Sequence, residues 1–126
     1  KLPAGTTAKL LDALAATTTP IFPGASTASE VLNLLEHGYE YIKFFPAEAS
    51  GGTAALKSFG GPIPQVKFMP TGGIDQSNVK TYLALKNVIA VGGSWMIDAK
   101  CVAEKNWTAL QNSTQICVAE VAAKGI

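Results

Sequence analysis

A parallel α/β architecture is what this sequence predicts, and three features predict it. Short apolar runs with little alternation recur at Thr19–Pro23, Tyr41–Phe45, Val66–Met69 and Val88–Val91. Each closes on a Gly- or Pro-containing turn and leads into a stretch with helical signals. The runs are spaced by roughly 20–25 residues, enough for a strand and the helix that carries the chain back to begin the next parallel one. Continuous apolar runs of this length suit strands buried on both faces. Four βα units behind an opening helix fit either a small doubly wound sheet or half of an eight-stranded barrel, and the pattern alone does not choose. A free half-barrel would expose two strand edges and an open apolar face.

The helices follow from their ends. An opening helix is expected over about Thr7–Ala16. Thr27-Ala28-Ser29-Glu30 reads as a capping box, with Val31, Leu32, Leu34 and Leu35 as the apolar stripe and His37-Gly38 as the stop. Gly51–Phe59 reads as a shorter helix bounded by Gly60-Gly61-Pro62. Asp75 is placed as the cap of a helix through Leu85, and Asn106 as the cap of a final helix through Ala123.

Composition narrows the function classes. The 126 residues suffice for one domain, taken as 1–126, and 48% of them are hydrophobic against 15% charged. Net charge is +1 and the ten basic residues are scattered, which argues against a nucleic-acid face. Residues Lys1–Thr7 carry no apolar run of signal-peptide type, and no stretch reaches the length of a membrane span. A soluble, cytoplasmic protein with no membrane partner is expected. Cys101 and Cys117 lack C-x-x-C spacing and histidine neighbours, so they read as buried, reduced thiols and no metal site is expected. His37, at a helix end, reads as a surface or capping residue. Trp95, Trp107, Phe44 and Phe68 read as packing, and Glu48 as a structural hydrogen-bonding residue.

Ligands of parallel α/β folds bind at the C-terminal ends of the strands, and three motifs fall there. Lys43 sits in Tyr41-Ile42-Lys43-Phe44-Phe45-Pro46. Burying an ammonium favours its neutral form, which makes the amine a nucleophile toward a ketone. The other reading is an edge lysine whose stem packs while its head reaches water. Pro70-Thr71-Gly72-Gly73-Ile74-Asp75 follows the third run, and Val91-Gly92-Gly93-Ser94 the fourth. Each places paired glycines before an expected helix start, a geometry that lets backbone N–H groups approach an anion. Two such pairs on consecutive strands point to a phosphate site.

These residues also carry a resemblance. Lys43-Phe44-Phe45-Pro46-Ala47-Glu48-Ala49 with Gly51-Gly52 resembles the Schiff-base lysine segment of the bacterial 2-keto-3-deoxy-6-phosphogluconate (KDPG) and 4-hydroxy-2-oxoglutarate (KHG) aldolases. Phe22-Pro23-Gly24 with Ser26-Thr27, Pro70–Ile74, Tyr82-Leu83-Ala84-Leu85 and Gly92-Gly93-Ser94-Trp95 are similar to the same family, in order and spacing, from about Pro3 to Trp95. The resemblance implies a (β/α)8 barrel of which this chain covers about the C-terminal half. It also implies a class I aldolase that cleaves a phosphorylated 2-keto acid to pyruvate and glyceraldehyde 3-phosphate, without a cofactor or metal. By position, Lys43 would form the imine and Phe45 would pack beside the pyruvyl group. Thr71 would contact the substrate, and Gly72, Gly73, Gly92, Gly93 and Ser94 would hold its phosphate. The family suggests a homotrimer.

The same resemblance places about four strands upstream of Lys1, with a glutamate for proton transfer and an arginine for the pyruvyl carboxylate. No substitute for either stands out here. The alternative expectation is therefore a truncated, non-catalytic phosphate-binding half-barrel. A phosphate-binding isomerase fits less well, because such an enzyme needs no imine-forming lysine.

Overall fold

The computed structural model describes residues 2–122. Its elements are α1 (Ala8–Ala15), β1 (Gly24–Ala25), α2 (Ala28–Glu36), β2 (Tyr41–Phe44), a 3-10 turn (Glu48–Ser50), α3 (Gly52–Phe59), β3 (Lys67–Pro70), α4 (Val79–Leu83), α5 (Ala99–Ala103) and α6 (Trp107–Ala122). The strands form one parallel sheet in the order β1-β2-β3. Gly24 lies opposite Lys43 and Ala25 opposite Phe44, while Lys43 and Phe44 also face Met69 and Pro70.

Side chains alternate along β2 and β3. Ile42, Phe44, Phe68 and Pro70 are buried, whereas Lys43, Lys67 and Met69 are half-buried and Tyr41 is exposed. The expectation of strands buried on both faces is thus corrected: only one face is covered. Against that face pack Leu11 of α1, Val31 and Leu34 of α2, Leu56 of α3, and Val79, Tyr82 and Leu83 of α4. Phe44, Phe59 and Phe68 meet at its centre, with ring centroids 5.6–6.1 Å apart, close enough for edge-to-face and stacked contacts beyond simple area burial. Asn87 is the polar residue set into this layer, its Nδ2 donating to the Leu56 carbonyl at 2.8 Å.

The first and fourth runs behave differently from expectation. Pairing of the first begins only at the Pro23 carbonyl, which accepts from Lys43 N–H at 2.9 Å, so Thr19–Pro23 is not a strand and β1 lies just after it. Pro20 and Pro23 have no N–H to give a ladder. The fourth run lies parallel beside β3 but forms only isolated bridges, Phe68 with Val88 and Thr71 with Gly92. The separation between partners grows from 20 to 21 residues between those bridges. One extra residue within 89–91 therefore bulges out and interrupts the ladder.

Most helix ends stand where their caps put them. Thr7 Oγ1 accepts from Leu10 N–H, and Asn106 Oδ1 from Ala109 N–H. The expected last residue of α6, Ala123, lies outside the described residues. His37 closes α2 from the surface, its Nδ1 2.7 Å from the Asn33 carbonyl. α5 begins at Ala99, later than the helix start expected beside Ser94. Trp107 is 61% exposed rather than packed, and both cysteines are free and half-buried rather than buried. No described helix is long and apolar enough to cross a membrane.

Thr27 and Glu30 form the full capping box, and Glu30 Oε2 also accepts from Ser26 N–H at 2.8 Å. That bond leads the effects that hold the Glu30 carboxyl below its ordinary value. A lowered folded-state pKa contributes stability above the unfolded value of 4.5 that is lost as pH falls through the folded one. Glu30 is largely solvated, so Glu30→Ala is expected to cost about 0.5–1 kcal/mol at pH 7. Urea titrations should show the gap between wild type and variant narrowing as pH falls below 4.5; a gap that does not change with pH would contradict the part played by the charged carboxylate in the cap.

Candidate active site

The site is built where β2, β3 and the fourth run end side by side. A cavity of about 320 Å³ opens there, lined by Phe45, Thr71, Gly72, Gly73, Ile74, Gly93 and Ser94. Six of the eight residues singled out in the sequence line it, and Ile74 was not among them. Lys43 and Gly92 do not line it, but each adjoins a residue that does, Phe45 and Thr71 respectively. Lys43 is half-buried, with its Nζ 4.7 Å from the centre of the Phe45 ring and donating to the Leu2 carbonyl at 3.3 Å. Gly92 N–H donates to the Pro70 carbonyl at 2.8 Å.

Backbone geometry explains the glycines. Gly72 and Gly73 have φ of 102° and 74°, the left-handed region that side chains disfavour. A Cβ on Gly73 would stand 2.6 Å from Glu48 Cγ, and one on Gly92 would stand 2.5 Å from Thr71 Oγ1. On Gly93 it would run into the ring of Trp95. Among the described residues, none accepts a hydrogen bond from the N–H groups of Gly72, Gly73, Gly93 or Ser94. Thr71 Oγ1 is likewise buried without a partner, a state that costs about 1–3 kcal/mol unless a ligand or water supplies one. Backbone donors at the rim and an orphaned hydroxyl inside suit an oxygen-rich anion.

Helix dipoles add less than the sequence suggested. Asp75 caps no helix. Its Oδ1 accepts from the Ser77 N–H and hydroxyl, which holds its carboxyl below the usual range. Asn78 closes the loop, donating to the Gly73 carbonyl and accepting from Asp75 N–H, each at 2.9 Å. α4 then starts at Val79 and ends at Leu83 rather than Leu85, and α5 starts five residues after Ser94. Both helices have five residues and begin away from the cavity.

Comparisons with known proteins agree with this geometry. The family model for KDPG and KHG aldolases matches residues 2–113. The KHG/KDPG aldolase of Escherichia coli (strain K12) is 50% identical over 95 residues, 75% of this chain and 45% of its own length. The 2-dehydro-3-deoxy-phosphogluconate aldolase of Pseudoalteromonas atlantica is 42% identical over 118 residues, 94% of this chain and 55% of its own. Among solved structures, the KDPG aldolase of Legionella pneumophila, with pyruvate captured as a covalent carbinolamine, is 42% identical. It superposes with a TM-score of 0.87 over 89% of this chain and 54% of its own. The chain belongs to the KDPG/KHG aldolase family. It spans about half the length of the curated relatives it matches, and its sheet with one covered face is consistent with part of that family's barrel.

Other hollows carry less chemistry. Those along α6 are lined by residues such as Leu110, Thr114, Cys117 and Val118, without a charged side chain. Another, at the opposite end of the sheet, gathers Lys57, Lys67 and Lys86. It lies where α3 and α4 end, and lysines there answer the negative C-terminal ends of helices. Among the described residues no cluster of three His, Cys, Asp or Glu side chains suited to a metal ion is present.

Gly72→Ala places a side chain at a φ of 102° and is expected to destabilise the protein by about 1–3 kcal/mol. Chemical denaturation measures this directly. A variant as stable as wild type would mean that the loop has another accessible conformation.

Proposed function

We propose that this chain carries the imine-forming and phosphate-holding part of a class I aldolase that acts on KDPG, and on KHG as a second substrate. The observation that carries the proposal is the contact of Lys43 with Phe45, which lines an anion-suited cavity, in a family whose Legionella member holds pyruvate as a carbinolamine. The chain is read as the C-terminal half of the barrel, its half-covered sheet face closed by strands that lie outside this sequence. A trimer remains the expected assembly by analogy with the family.

In this reading the Lys43 amine adds to the C2 ketone to give a carbinolamine, which loses water to form an iminium. The C3–C4 bond then breaks as the C4 hydroxyl gives up its proton. Glyceraldehyde 3-phosphate leaves, and the bonding pair is held as an enamine. Protonation at C3 and hydrolysis release pyruvate and restore the amine. Phe45 presents its ring to the lysine nitrogen, and an aromatic face favours a cation there. The iminium is such a cation, so the ring supports the intermediate as well as the resting ammonium. Thr71 supplies a hydroxyl to the pyruvyl end. The N–H groups of Gly72, Gly73, Gly93 and Ser94 take the phosphate, with Gly92 setting their approach.

Borohydride reduction in the presence of pyruvate, followed by peptide mapping, is expected to give an adduct on Lys43 that Lys43→Met abolishes. An adduct that survives in the variant would identify a different nucleophile. Absence of an adduct alongside retained phosphate binding would favour the non-catalytic module. Gly93→Val is expected to weaken binding of glyceraldehyde 3-phosphate by about tenfold or more while changing that of pyruvate less. Equal losses for the two ligands would remove the phosphate assignment.

A further inference from the structure

We infer that Glu48 is a positioning residue that holds the Gly72-Gly73 anion loop at a fixed distance from the Lys43 strand. The inference rests on the aldolase reading above and deepens it. It starts from three contacts that one short segment makes with a neighbouring loop. Ala47 N–H donates to the Thr71 carbonyl at 2.8 Å, and Glu48 N–H to the Gly72 carbonyl at 3.1 Å. The Glu48 stem then fills the space beside Gly73, its Cγ 2.6 Å and its Cβ 2.7 Å from where a Gly73 Cβ would lie. Finally the carboxylate accepts a hydrogen bond from the Tyr82 hydroxyl on α4.

Tyr82 is fully buried and α4 is the helix into which the loop runs. Glu48 is therefore bonded or packed to the loop at its start, at its glycine and at the helix beyond it. The far side of this segment is Phe45 and Lys43, only three and five residues back. The Lys43 strand and the anion loop are tied by these two backbone bonds and by the Glu48 side chain. Glu48 does not line the cavity, so its negative charge is directed to Tyr82 rather than toward a bound phosphate. The Tyr82 hydroxyl is in turn held protonated, its pKa raised by burial and by the carboxylate.

The contacts separate position from charge. Glu48→Gln keeps the stem and an oxygen that accepts from Tyr82. Glu48→Ala removes both, and Tyr82→Phe removes the hydrogen bond while leaving the stem in place. Two readouts are needed on the same protein: inorganic phosphate affinity, from the amide shifts of Gly72 and Gly73 in an NMR titration, and the rate of pyruvate trapping on Lys43. For Glu48→Ala, phosphate affinity is expected to fall about tenfold with trapping reduced less than about twofold. Glu48→Gln is expected to restore affinity to near wild type, with Tyr82→Phe between the two. Equal loss of affinity and trapping in Glu48→Ala, or an affinity that does not move, would overturn the positioning role. So would a Gln variant as impaired as the Ala variant. Should Glu48→Ala not fold, the comparison of Gln with Tyr82→Phe decides between position and charge. Wild type that fails to trap pyruvate on Lys43 would count against the aldolase reading instead, and is read before any variant.

Discussion

Because β2 pairs in parallel with β1 on one side and β3 on the other, with Lys43 opposite both Gly24 and Met69, the odd and even residues of that strand have separate fates. Ile42 and Phe44 enter the layer under the helices, where Phe44 meets Phe59 and Phe68. Lys43 is thereby turned to the face that no described helix fills. A shift of one residue in register would exchange these two sets. It would bury an ammonium against Phe68 and expose two large side chains. The apolar layer thus fixes the direction of Lys43, and the loops that follow β2 and β3 inherit the same alignment.

Glycine at the cavity is required by crowding more than by turn type. Gly92 and Gly93 are not held at positive φ, yet Thr71 and Trp95 occupy the space a side chain would need. Gly73 is constrained both ways, by its φ and by Glu48. Each glycine pair therefore lies under a side chain from elsewhere that holds the backbone at the cavity rim. The anion donors are peptide N–H groups at fixed places, and their preorganisation comes from packing rather than from a long helix behind them.

What the sequence made legible follows the range of the interactions involved. Thr27 with Glu30, and Asn106, act on N–H groups three residues away, so their spacing alone revealed them. That Lys43 and the two Gly-Gly turns lie close together was readable because parallel strands bring their ends to one edge of the sheet. Where a local signal had two uses, the reading failed. Asp75 looked like a helix cap but turns the chain at Ser77, and Asn78 spends its side chain on Gly73 instead of on α4. Prolines hid the true start of β1, and a one-residue bulge broke the ladder of an apolar run that otherwise reads as a strand. The contact between Glu48 and Tyr82 spans 34 residues; nothing in the spacing of either motif announces it.

The surroundings of Lys43 set a condition on the proposed chemistry. A ring face and a carbonyl oxygen both favour a positive nitrogen. They suit the iminium that the proposed reaction would form. The cavity lining contains no acidic residue, and Glu48, five residues after Lys43, is engaged by Tyr82. Under the proposed function, a proton acceptor for the C4 hydroxyl would come from outside that lining, and among the described residues the uncovered face of the sheet, which carries Lys43 and Met69, is the side left open to one. That face is also where closure of a barrel would place new strands. On that reading, one packing event against the uncovered face would both bury the sheet and bring in the acceptor.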